Sequence, residues 1–560
     1  MSLIELTKFD SHHPAVECSF DFKYIQALKT KTSNVSVYQF RKANYIELNN
    51  LFKQVDWSFL NSTEDIELLV RQFYEIIFTG IDKCVSKKAI KSQKYPQWID
   101  SHLRRLIARN NKLYTKYKRS GLPTDYDAYS DLRREVKFRT DLCYLMFVTN
   151  TEHLIPQNVK HFWSFVKNLK SDSNLPSEMT YNQQTVTDSQ DIANAFASHF
   201  QTCYSDHTDV VVASVHPVNF ATILSSHNFT DTEISNKLSN LDVSKKAGPD
   251  GIPALFLKNC CTSLTGPLRV LFQQSMNSGT FPSVWKVSIL QPIFKSGDRA
   301  AVENYRGISL LSAIPKLFES IVTDELFNVF KNCIIVEQHG FYRGRSAVTN
   351  LAVYQESLVS SVEVYRQVDA IYTDLSKAFD SVCHSLLIKK LSEIGVTGSY
   401  LRWIESYLSD RRQHVNICGS SSHEVLVSSG VPQGSHMGPV LFSLFINDVI
   451  SCFKSSHCLL YADDLKFYSV VYPGTNCLQD DLNSFVTWCN KNFLKINIAK
   501  CKSISFHKCV QPIVQTYSID QGSPNYGPRA TSGPQTDFVR PAETYLKTPF
   551  REQIFFIANK

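Results

Sequence analysis

The sequence lacks any paired Cys-x-x-Cys spacing, although it contains 15 cysteines among its 560 residues. Because their number is odd and no secretory leader precedes them, a disulfide framework is not expected. Cys501, His507 and Cys509 lack a fourth ligand at zinc-finger spacing, so we predict no zinc site. We interpret the cysteines as free thiols in a reducing compartment.

Long apolar runs are also missing from this chain. No run of 18 or more apolar residues occurs, and the N-terminal sequence MSLIELTKFD lacks the basic flank and apolar core of a signal peptide. We therefore expect an intracellular protein without a membrane partner. Its basic clusters suit nuclear import and RNA binding equally, so nucleus and cytoplasm both stay open, as does the oligomeric state.

The composition is that of a folded protein with only a mild excess of positive charge. Hydrophobic residues make up 43% and charged residues 20%, and the net charge is +7. The length exceeds one hydrophobic core, so several packed units are expected. The positive charge is concentrated in a stripe at helical spacing with interleaved tyrosines: Arg104, Arg105, Arg109, Lys112, Lys116 and Lys118. This stripe suits a phosphate backbone, but a solvated helix face would have the same pattern.

The pattern of apolar residues changes along the chain. From Ile66, after a possible cap at Ser62, helical periodicity dominates to about Lys170, and residues 171–187 are polar and loop-like. After about Asn219, short apolar runs alternate with helical stretches, which indicates an α+β fold. The clearest runs are Val287–Phe294, Val368–Leu375, Val425–Ser429 and Cys458–Tyr461.

Two segments carry carboxylates in positions that suit metal chemistry. Asp463 and Asp464 stand in the string YADD between two apolar runs, which predicts a hairpin with adjacent carboxylates at its turn. Asp374 follows an apolar strand where we expect a helix to begin. Neighbouring carboxylates repel each other and attract hard divalent cations such as Mg²⁺. Four residues alone are weak evidence, because an ordinary turn containing aspartate would look the same.

Further segments suit an approach to a nucleotide. The loop GVPQGSHMGP, which contains Gln433 and Gly434, has glycines that let backbone come close to a nucleic acid, although a bare glycine-proline loop is the simpler explanation. Upstream, Lys295 and Arg306 could supply cations to a triphosphate. Taken singly, each of these two would more often be a surface charge.

In this order the segments resemble the reverse transcriptases of LINE-like, non-long-terminal-repeat retrotransposons. The resemblance covers about Leu241 to Lys502, and the upstream strings PQW (Pro96–Trp98) and FWSFVKNL (Phe162–Leu169) look similar too. It rests on many linked strings: AGPDGIP, PIFKSGD, NYRGISLL, QHGFYRGRS, YTDLSKAFDSV, GVPQGSHMGPVLF, YADD and LKINIAKCK.

The resemblance implies an RNA-directed DNA polymerase that uses two Mg²⁺ ions, with Mn²⁺ as a possible substitute. Its partners would be template RNA, a DNA primer or target DNA, and deoxynucleoside triphosphates. Asp374, Asp463 and Asp464 resemble the metal-binding triad, and Lys500 the lysine that protonates the leaving pyrophosphate. Of the other residues, Phe379 resembles the aromatic gate against a ribose 2′-hydroxyl, Gln433 the residue that steadies the templating pair, and Lys295 and Arg306 the triphosphate clamp.

The resemblance also implies a right-hand polymerase of the α+β class. We expect fingers at 219–337 and a palm at 338–510, built on an antiparallel sheet with helices on one face. A mainly helical, basic nucleic-acid-binding region would precede them at 26–218. Residues 511–560 are rich in proline and glycine and are interpreted as an incomplete thumb, and residues 1–25 as a remnant of an apurinic-type endonuclease.

Two departures from the family pattern leave other functions open. The segment Asp10-Ser11-His12-His13-Pro14 resembles the closing motif of the endonuclease, with serine where aspartate is usual. Because nearly all of that domain is absent, we expect that this chain does not nick DNA by itself. Beyond Tyr517-Ser518-Ile519-Asp520, which resembles the start of a primer grip, residues 521–549 suggest a disrupted reading frame. The alternative is thus a disabled remnant that only binds nucleic acid. An RNA-dependent RNA polymerase is a third possibility, disfavoured by Phe379 and Ala462.

Overall fold

The structure is a computed structural model that describes residues 36–89, 95–96, 98–156, 175–205, 222–365, 367–509, 511–520, 536–538 and 540–541. These residues form two compact units. The first contains the described parts of Lys91–Ser189 and Asp298–Ala301, and the second those of Asn34–Ile90, Gln190–Gly297 and Val302–Lys560. The predicted endonuclease remnant at 1–25, the string FWSFVKNL and most of 521–549 lie outside the described residues, as does part of PQW.

Helices are numbered α1 to α14 along the described chain. They are α1 Tyr45–Gln54, α2 Ile66–Cys84, α3 Ser101–Ser120, α4 Pro123–Leu154, α5 Ser189–Gln201, α6 Asp231–Ser239, α7 Ala254–Asn259, α8 Cys261–Ser278, α9 Ala313–Phe330, α10 Ala347–Tyr365, α11 His384–Glu393, α12 Gly398–Leu408, α13 Met437–Ile446 and α14 Cys477–Lys491. Among the described residues, no helix is both long and apolar enough to cross a lipid bilayer.

Strands are numbered β1 to β18 in the same way. They are β1 Ser36–Tyr38, β2 Lys87–Ala89, β3 Met179–Tyr181, β4 Gln184–Val186, β5 Val287–Phe294, β6 Tyr305–Leu310, β7 Gln367–Thr373, β8 Leu375–Ser376, β9 Arg411–Ile417, β10 Ser420–Ser421, β11 Val425–Val427, β12 His457–Tyr461, β13 Asp464–Val470, β14 Lys495–Ile496, β15 Lys502–His507, β16 Ser518–Asp520, β17 Thr536–Phe538 and β18 Arg540–Pro541. Mixed helices and sheets confirm the predicted α+β class.

The first unit is built around the antiparallel helices α3 and α4. The Asp100 side chain accepts a hydrogen bond from Leu103 N at the start of α3, and Gly121 ends the helix at φ 63°. Pro123 then begins α4. The polar segment predicted to be loop-like contains the hairpin of β3 and β4.

Helices α1 and α2 belong to the second unit, where they pack against α8. The helix predicted from Ile66 is present as α2, but the predicted cap at Ser62 is wrong. Asp65 caps the helix instead, because its carboxylate accepts hydrogen bonds from Glu67 N and Leu68 N. The buried indole of Trp285 donates to the Tyr74 hydroxyl of α2 at 3.1 Å.

One five-stranded sheet of the second unit has the order β12-β13-β7-β15-β18. Its pairs are antiparallel, as predicted, except for the parallel edge pair of β15 and β18. Tyr354 and Leu358 of α10 pack on one face of the sheet, against Val368 and Ala370. The other face belongs to the main core with α14. Helices therefore cover both faces, and the expectation of a sheet covered on one face is wrong.

A second five-stranded sheet has the order β10-β9-β5-β6, with β11 also paired to β9. Strands β5 and β6 are antiparallel neighbours, whereas β5 and β9 run parallel. The predicted apolar run Val287–Phe294 coincides with β5. This sheet carries the segments that contain Lys295 and Arg306.

Residues 511–520 dock on the first of these sheets through buried polar contacts. Gln367 of β7 exchanges two hydrogen bonds with the backbone of Ile513, each 2.8 Å long. The Tyr517 hydroxyl donates to Asp369 Oδ2 at 2.7 Å, and Ser505 Oγ donates to Asp369 Oδ1 at 2.6 Å. The segment predicted to begin a primer grip is thus attached to the sheet that carries Asp374.

Candidate active site

The YADD string forms the predicted hairpin. Strands β12 and β13 pair with Tyr461 opposite Asp464, which leaves Ala462 and Asp463 as the two-residue turn. Ala462 has φ 60°, in the left-handed region, which costs a residue other than glycine about 1–2 kcal/mol. The turn brings two carboxylates to the end of the hairpin, so this part of the sequence prediction is confirmed.

Asp374 lies at the same end of the sheet. Thr373, the last residue of β7, pairs with Leu465 of β13, and its hydroxyl donates to Leu465 O at 3.0 Å. The helix expected to begin at Asp374 is absent, because residues 375–376 form β8 and pair with β14. Asn497 N donates to Asp374 O at 2.8 Å, and the next α-helix, α11, begins only at His384.

The three carboxylates interact electrostatically. Burial raises the pKa of Asp463, and the negative charges of Asp464 and Asp374 raise it further. Burial and the charge of Asp374 likewise raise the pKa of Asp464. Lys500 opposes this repulsion, since its Nζ lies 2.7 Å from Asp374 Oδ2. The arrangement favours a cation, and in the structure the ammonium group of Lys500 supplies one.

The chemistry of these donors fits a hard divalent cation. Carboxylate oxygens are the ligands that Mg²⁺ and Mn²⁺ take in proteins, and mutual repulsion among them is relieved by cation binding. Within the described residues, however, no group of three histidine, cysteine, aspartate or glutamate side chains is close enough to hold a metal ion as it stands. The donor set therefore fits, but the side chains would have to move closer together.

A cavity of about 800 Å³ joins these carboxylates to the other residues predicted from the sequence. All of its lining residues belong to the second unit. The predicted site residues that line it are Lys295, Arg306, Asp374, Phe379, Gln433, Gly434, Asp463, Asp464 and Lys500. The cavity thus brings together residues that are far apart in the sequence. Lys295 and Lys500, for example, are separated by 205 positions.

Phe379 is held in the cavity wall by other aromatic rings. It stacks on Phe442 with ring centroids 4.3 Å apart and an interplanar angle of 16°. Phe341 contacts it edge-on, with ring centroids 5.9 Å apart. These aromatic contacts restrict the ring at the place where it lines the cavity.

Gln433 is oriented by a carboxylate that the sequence analysis did not single out. Its Nε2 lies 3.1 Å from both Asp380 Oδ1 and Asp380 Oδ2. Burial raises the pKa of Asp380 to about 6, against the lowering effects of Lys377 and of Gln433. Gly434 has φ 120°, and a Cβ there would lie 2.5 Å from Ser309 O, so the loop needs glycine at this position.

Lys295 and Arg306 lie on adjacent strand segments. Lys295 follows β5 and its backbone N–H donates to Asn304 O at 2.9 Å. Arg306 of β6 pairs with Ile293 of β5. Both side chains are exposed and line the cavity, so two cations face the space that contains the carboxylates.

Two further cavity residues were missed. Arg411, at the start of β9, is only 3% exposed and donates from Nη1 to Tyr407 O at 3.0 Å. Its Nη2 is buried and has no hydrogen-bond partner in the part of the chain that the structure describes. Lys377 lines the cavity beside Asp380 and has φ 51°. Neither residue has a local pattern that separates it from an ordinary surface cation.

The basic stripe lies on α3 of the first unit. Leu103 and Leu106 are buried. The predicted cations are all exposed: Arg104, Arg105, Arg109, Lys112 and Lys116. Lys116 forms an ion pair of 2.8 Å with Asp125. The tyrosines interleaved in the stripe contact tyrosines of α4, Tyr114 against Tyr129 and Tyr117 against Tyr126.

Comparison with known proteins shows which family and which relatives this chain resembles. Residues 293–527 match the family described as reverse transcriptase (RNA-dependent DNA polymerase). The chain is 25% identical over 525 residues to the probable RNA-directed DNA polymerase from transposon BS of Drosophila melanogaster, covering 88% of this chain and 56% of the relative. It is 24% identical over 520 residues to that from transposon X-element of the same species, covering 87% and 55%.

A third relative is the RNA-directed DNA polymerase from mobile element jockey of Drosophila melanogaster, 27% identical over 287 residues, or 49% of this chain and 31% of the relative. The chain thus spans about half the length, or less, of these curated relatives. Residues 293–527 are thus similar to reverse transcriptases, and the relatives of the chain are RNA-directed DNA polymerases of transposons and other mobile elements.

Proposed function

We propose that this chain extends a DNA primer on an RNA template by transferring deoxynucleotides to the primer 3′ hydroxyl. The observation that carries the proposal is the single cavity shared by Asp374, Asp463 and Asp464 with the two cations Lys295 and Arg306. Carboxylates suit the metal ions of nucleotidyl transfer, and the cations suit a triphosphate. The similarity to RNA-directed DNA polymerases supports the same reaction.

Asp374, Asp463 and Asp464 would hold two Mg²⁺ ions, for which Mn²⁺ is a chemical substitute. When bound, such ions activate the attacking hydroxyl and neutralise charge on the leaving pyrophosphate. Lys500 is the proposed proton donor to that pyrophosphate. Since its Nζ contacts Asp374 at 2.7 Å, it must leave this carboxylate when a metal ion takes its place.

The other cavity residues position the substrates. Lys295 and Arg306 bind the triphosphate, and Gln433, fixed by Asp380, steadies the templating base pair. The rigid ring of Phe379 excludes a ribose 2′-hydroxyl, so the product is DNA. Gly434 packs against Ser309, where a side chain would not fit, and so keeps the loop at the cavity as its proposed contact to nucleic acid.

Primer extension on an RNA template, with deoxynucleotides and Mg²⁺, tests the proposal. Asp463→Asn should reduce extension by at least about 100-fold, because one oxygen ligand loses its charge. Asp410→Asn is the matched control, since Asp410 is exposed before β9 and should leave activity unchanged. Equal extension by the wild type and Asp463→Asn would show that the activity comes from elsewhere.

The second candidate is a chain that binds nucleic acid without catalysis. The exposed basic face of α3 favours it, because Arg105, Arg109 and Lys112 lie there without burial. A folded wild-type sample that binds RNA but extends no primer, with either Mg²⁺ or Mn²⁺, would support this candidate over polymerisation.

A further inference from the structure

The turn that carries Asp463 is held by a buried side chain from a distant part of the chain. Gln338 is 1% exposed, and its Oε1 accepts a hydrogen bond from Ala462 N at 2.9 Å. Its Nε2 donates to Ala462 O at 3.2 Å. One amide side chain thus binds both backbone polar groups of the residue immediately before Asp463.

The same amide is itself fixed in place. Gly340 N donates to Gln338 Oε1 at 2.8 Å, which orients the side chain from its own segment. The backbone around it pairs with β12, since His339 N donates to Leu460 O at 2.9 Å and Leu460 N to Glu337 O at 3.0 Å. The residues before and after Gln338 are therefore both hydrogen-bonded to Leu460 of β12.

The turn needs such support because of its conformation. Ala462 has φ 60°, which an L-residue adopts only when its surroundings hold it there. The approach is close as well, since a Cβ on Gly340 would lie 2.2 Å from Ala462 N. The strained backbone and the tight contact therefore both occur at Ala462, the residue immediately before Asp463.

We propose that Gln338 is a positioning residue that fixes the backbone of Ala462 and thereby the direction of the Asp463 and Asp464 carboxylates. The inference rests on the proposed function for its effect on catalysis, but not for its effect on the turn. An amide is the side chain suited to this task, because it offers a donor and an acceptor on one rigid plane. Methionine has a similar length and offers neither in useful strength.

Gln367 provides a matched control for Gln338→Met. It is 2% exposed, lies in the same unit, and binds a backbone N–H and a backbone C=O through its side chain, those of Ile513. It stands at the opposite end of β7 from Asp374. Gln367→Met therefore removes the same two backbone contacts, together with hydrogen bonds to Asp369 Oδ1 and Ser505 Oγ, from a buried site that does not contact the turn.

Hydrogen exchange of the amides of 461–464 in the full chain, without metal, is the first measurement. Gln338→Met should accelerate exchange at Ala462 by about 10-fold or more, because its N–H loses its acceptor. Gln367→Met should leave this segment unchanged. Unchanged exchange in Gln338→Met, or equal acceleration by both variants, would overturn the proposal.

Metal binding and turnover give the second measurement. Mn²⁺ titration followed by electron paramagnetic resonance should show about 10-fold weaker binding for Gln338→Met but not for Gln367→Met. In primer extension, kcat should fall about 10- to 100-fold with a nearly unchanged KM for deoxynucleotide. A rise in KM alone would contradict a positioning role. A wild type without extension would refute the proposed function, while the exchange result would still decide the role of Gln338.

Discussion

Asp380 should destabilise the folded chain at neutral pH. Its carboxyl group lies in the wall of the cavity that contains Asp463, and burial raises its pKa from 3.8 to about 6. Ionising it in the folded protein above pH 6 therefore costs about 3 kcal/mol relative to the unfolded chain. Because the folded state holds its proton more tightly, this cost is present above pH 6 and disappears below about pH 4.

Asp380→Asn should consequently stabilise the protein at pH 8. The amide keeps the shape but can accept from Gln433 Nε2 with only one oxygen, and a lost hydrogen bond offsets about 1 kcal/mol of the gain. The net effect is about 2 kcal/mol, or about 2 °C in the midpoint of thermal unfolding of a chain of this length. The same variant should lose polymerase activity, because Gln433 is no longer fixed by both oxygens.

Thermal unfolding of the wild type and Asp380→Asn at pH 8, 6 and 4.5 measures this. The difference in midpoint should shrink as the pH falls through 6 and nearly vanish at the lowest pH. Asp410→Asn removes the charge of an exposed aspartate and should shift no midpoint. No stabilisation at pH 8, or a gain that persists undiminished at pH 4.5, would refute the reasoning from burial.

Two further predictions concern Phe379 in the cavity wall and the half-buried His227 beside two glutamates. Phe379→Val should lower the preference for deoxynucleotides over ribonucleotides by about 10- to 100-fold in competition extension assays, because the ring stacked on Phe442 no longer fills the space below the sugar; an unchanged ratio would remove Phe379 from the gate. Burial lowers the pKa of His227, but hydrogen bonds to Glu233 and Glu325 outweigh it and raise the pKa to about 9. His227→Gln should therefore cost up to about 3 kcal/mol of unfolding free energy below pH 6.5, and this difference should fade as the pH rises through 9; a difference that is constant with pH would contradict it.

The sequence predicted the parts of the fold that local pattern determines. The run Val287–Phe294 became β5, and the run before YADD became β12, because apolar residues between turn signals have few alternatives to a buried strand. The family resemblance selected eight residues, and the glycine-containing loop added Gly434, that the structure places around one cavity. Their role in catalysis stays a prediction.

Local pattern failed where a distant segment decided the outcome. A helix after Asp374 is the ordinary expectation, yet β14, more than 100 positions later, pairs with residues 375–376 and replaces it. The cap of α2 shifted from Ser62 to Asp65 because Asp65 reaches two free N–H groups. Nothing in the spacing of Asp380 or Arg411 shows that they would be buried against the cavity.

Asp380, which the sequence analysis missed, has the same kind of surroundings as Asp463 and Asp464, which it found. Burial raises the pKa of Asp380, Asp463 and Asp464, so the cavity gathers carboxylates in surroundings that oppose their charge. Other side chains hold these carboxylates in position. Gln338 binds the backbone next to Asp463, and the ammonium group of Lys500 contacts Asp374. A sequence motif marks the carboxylates because the chemistry fixes their type and local spacing. It marks their supports less clearly, because any fold that brings a suitable donor to the same point satisfies the requirement.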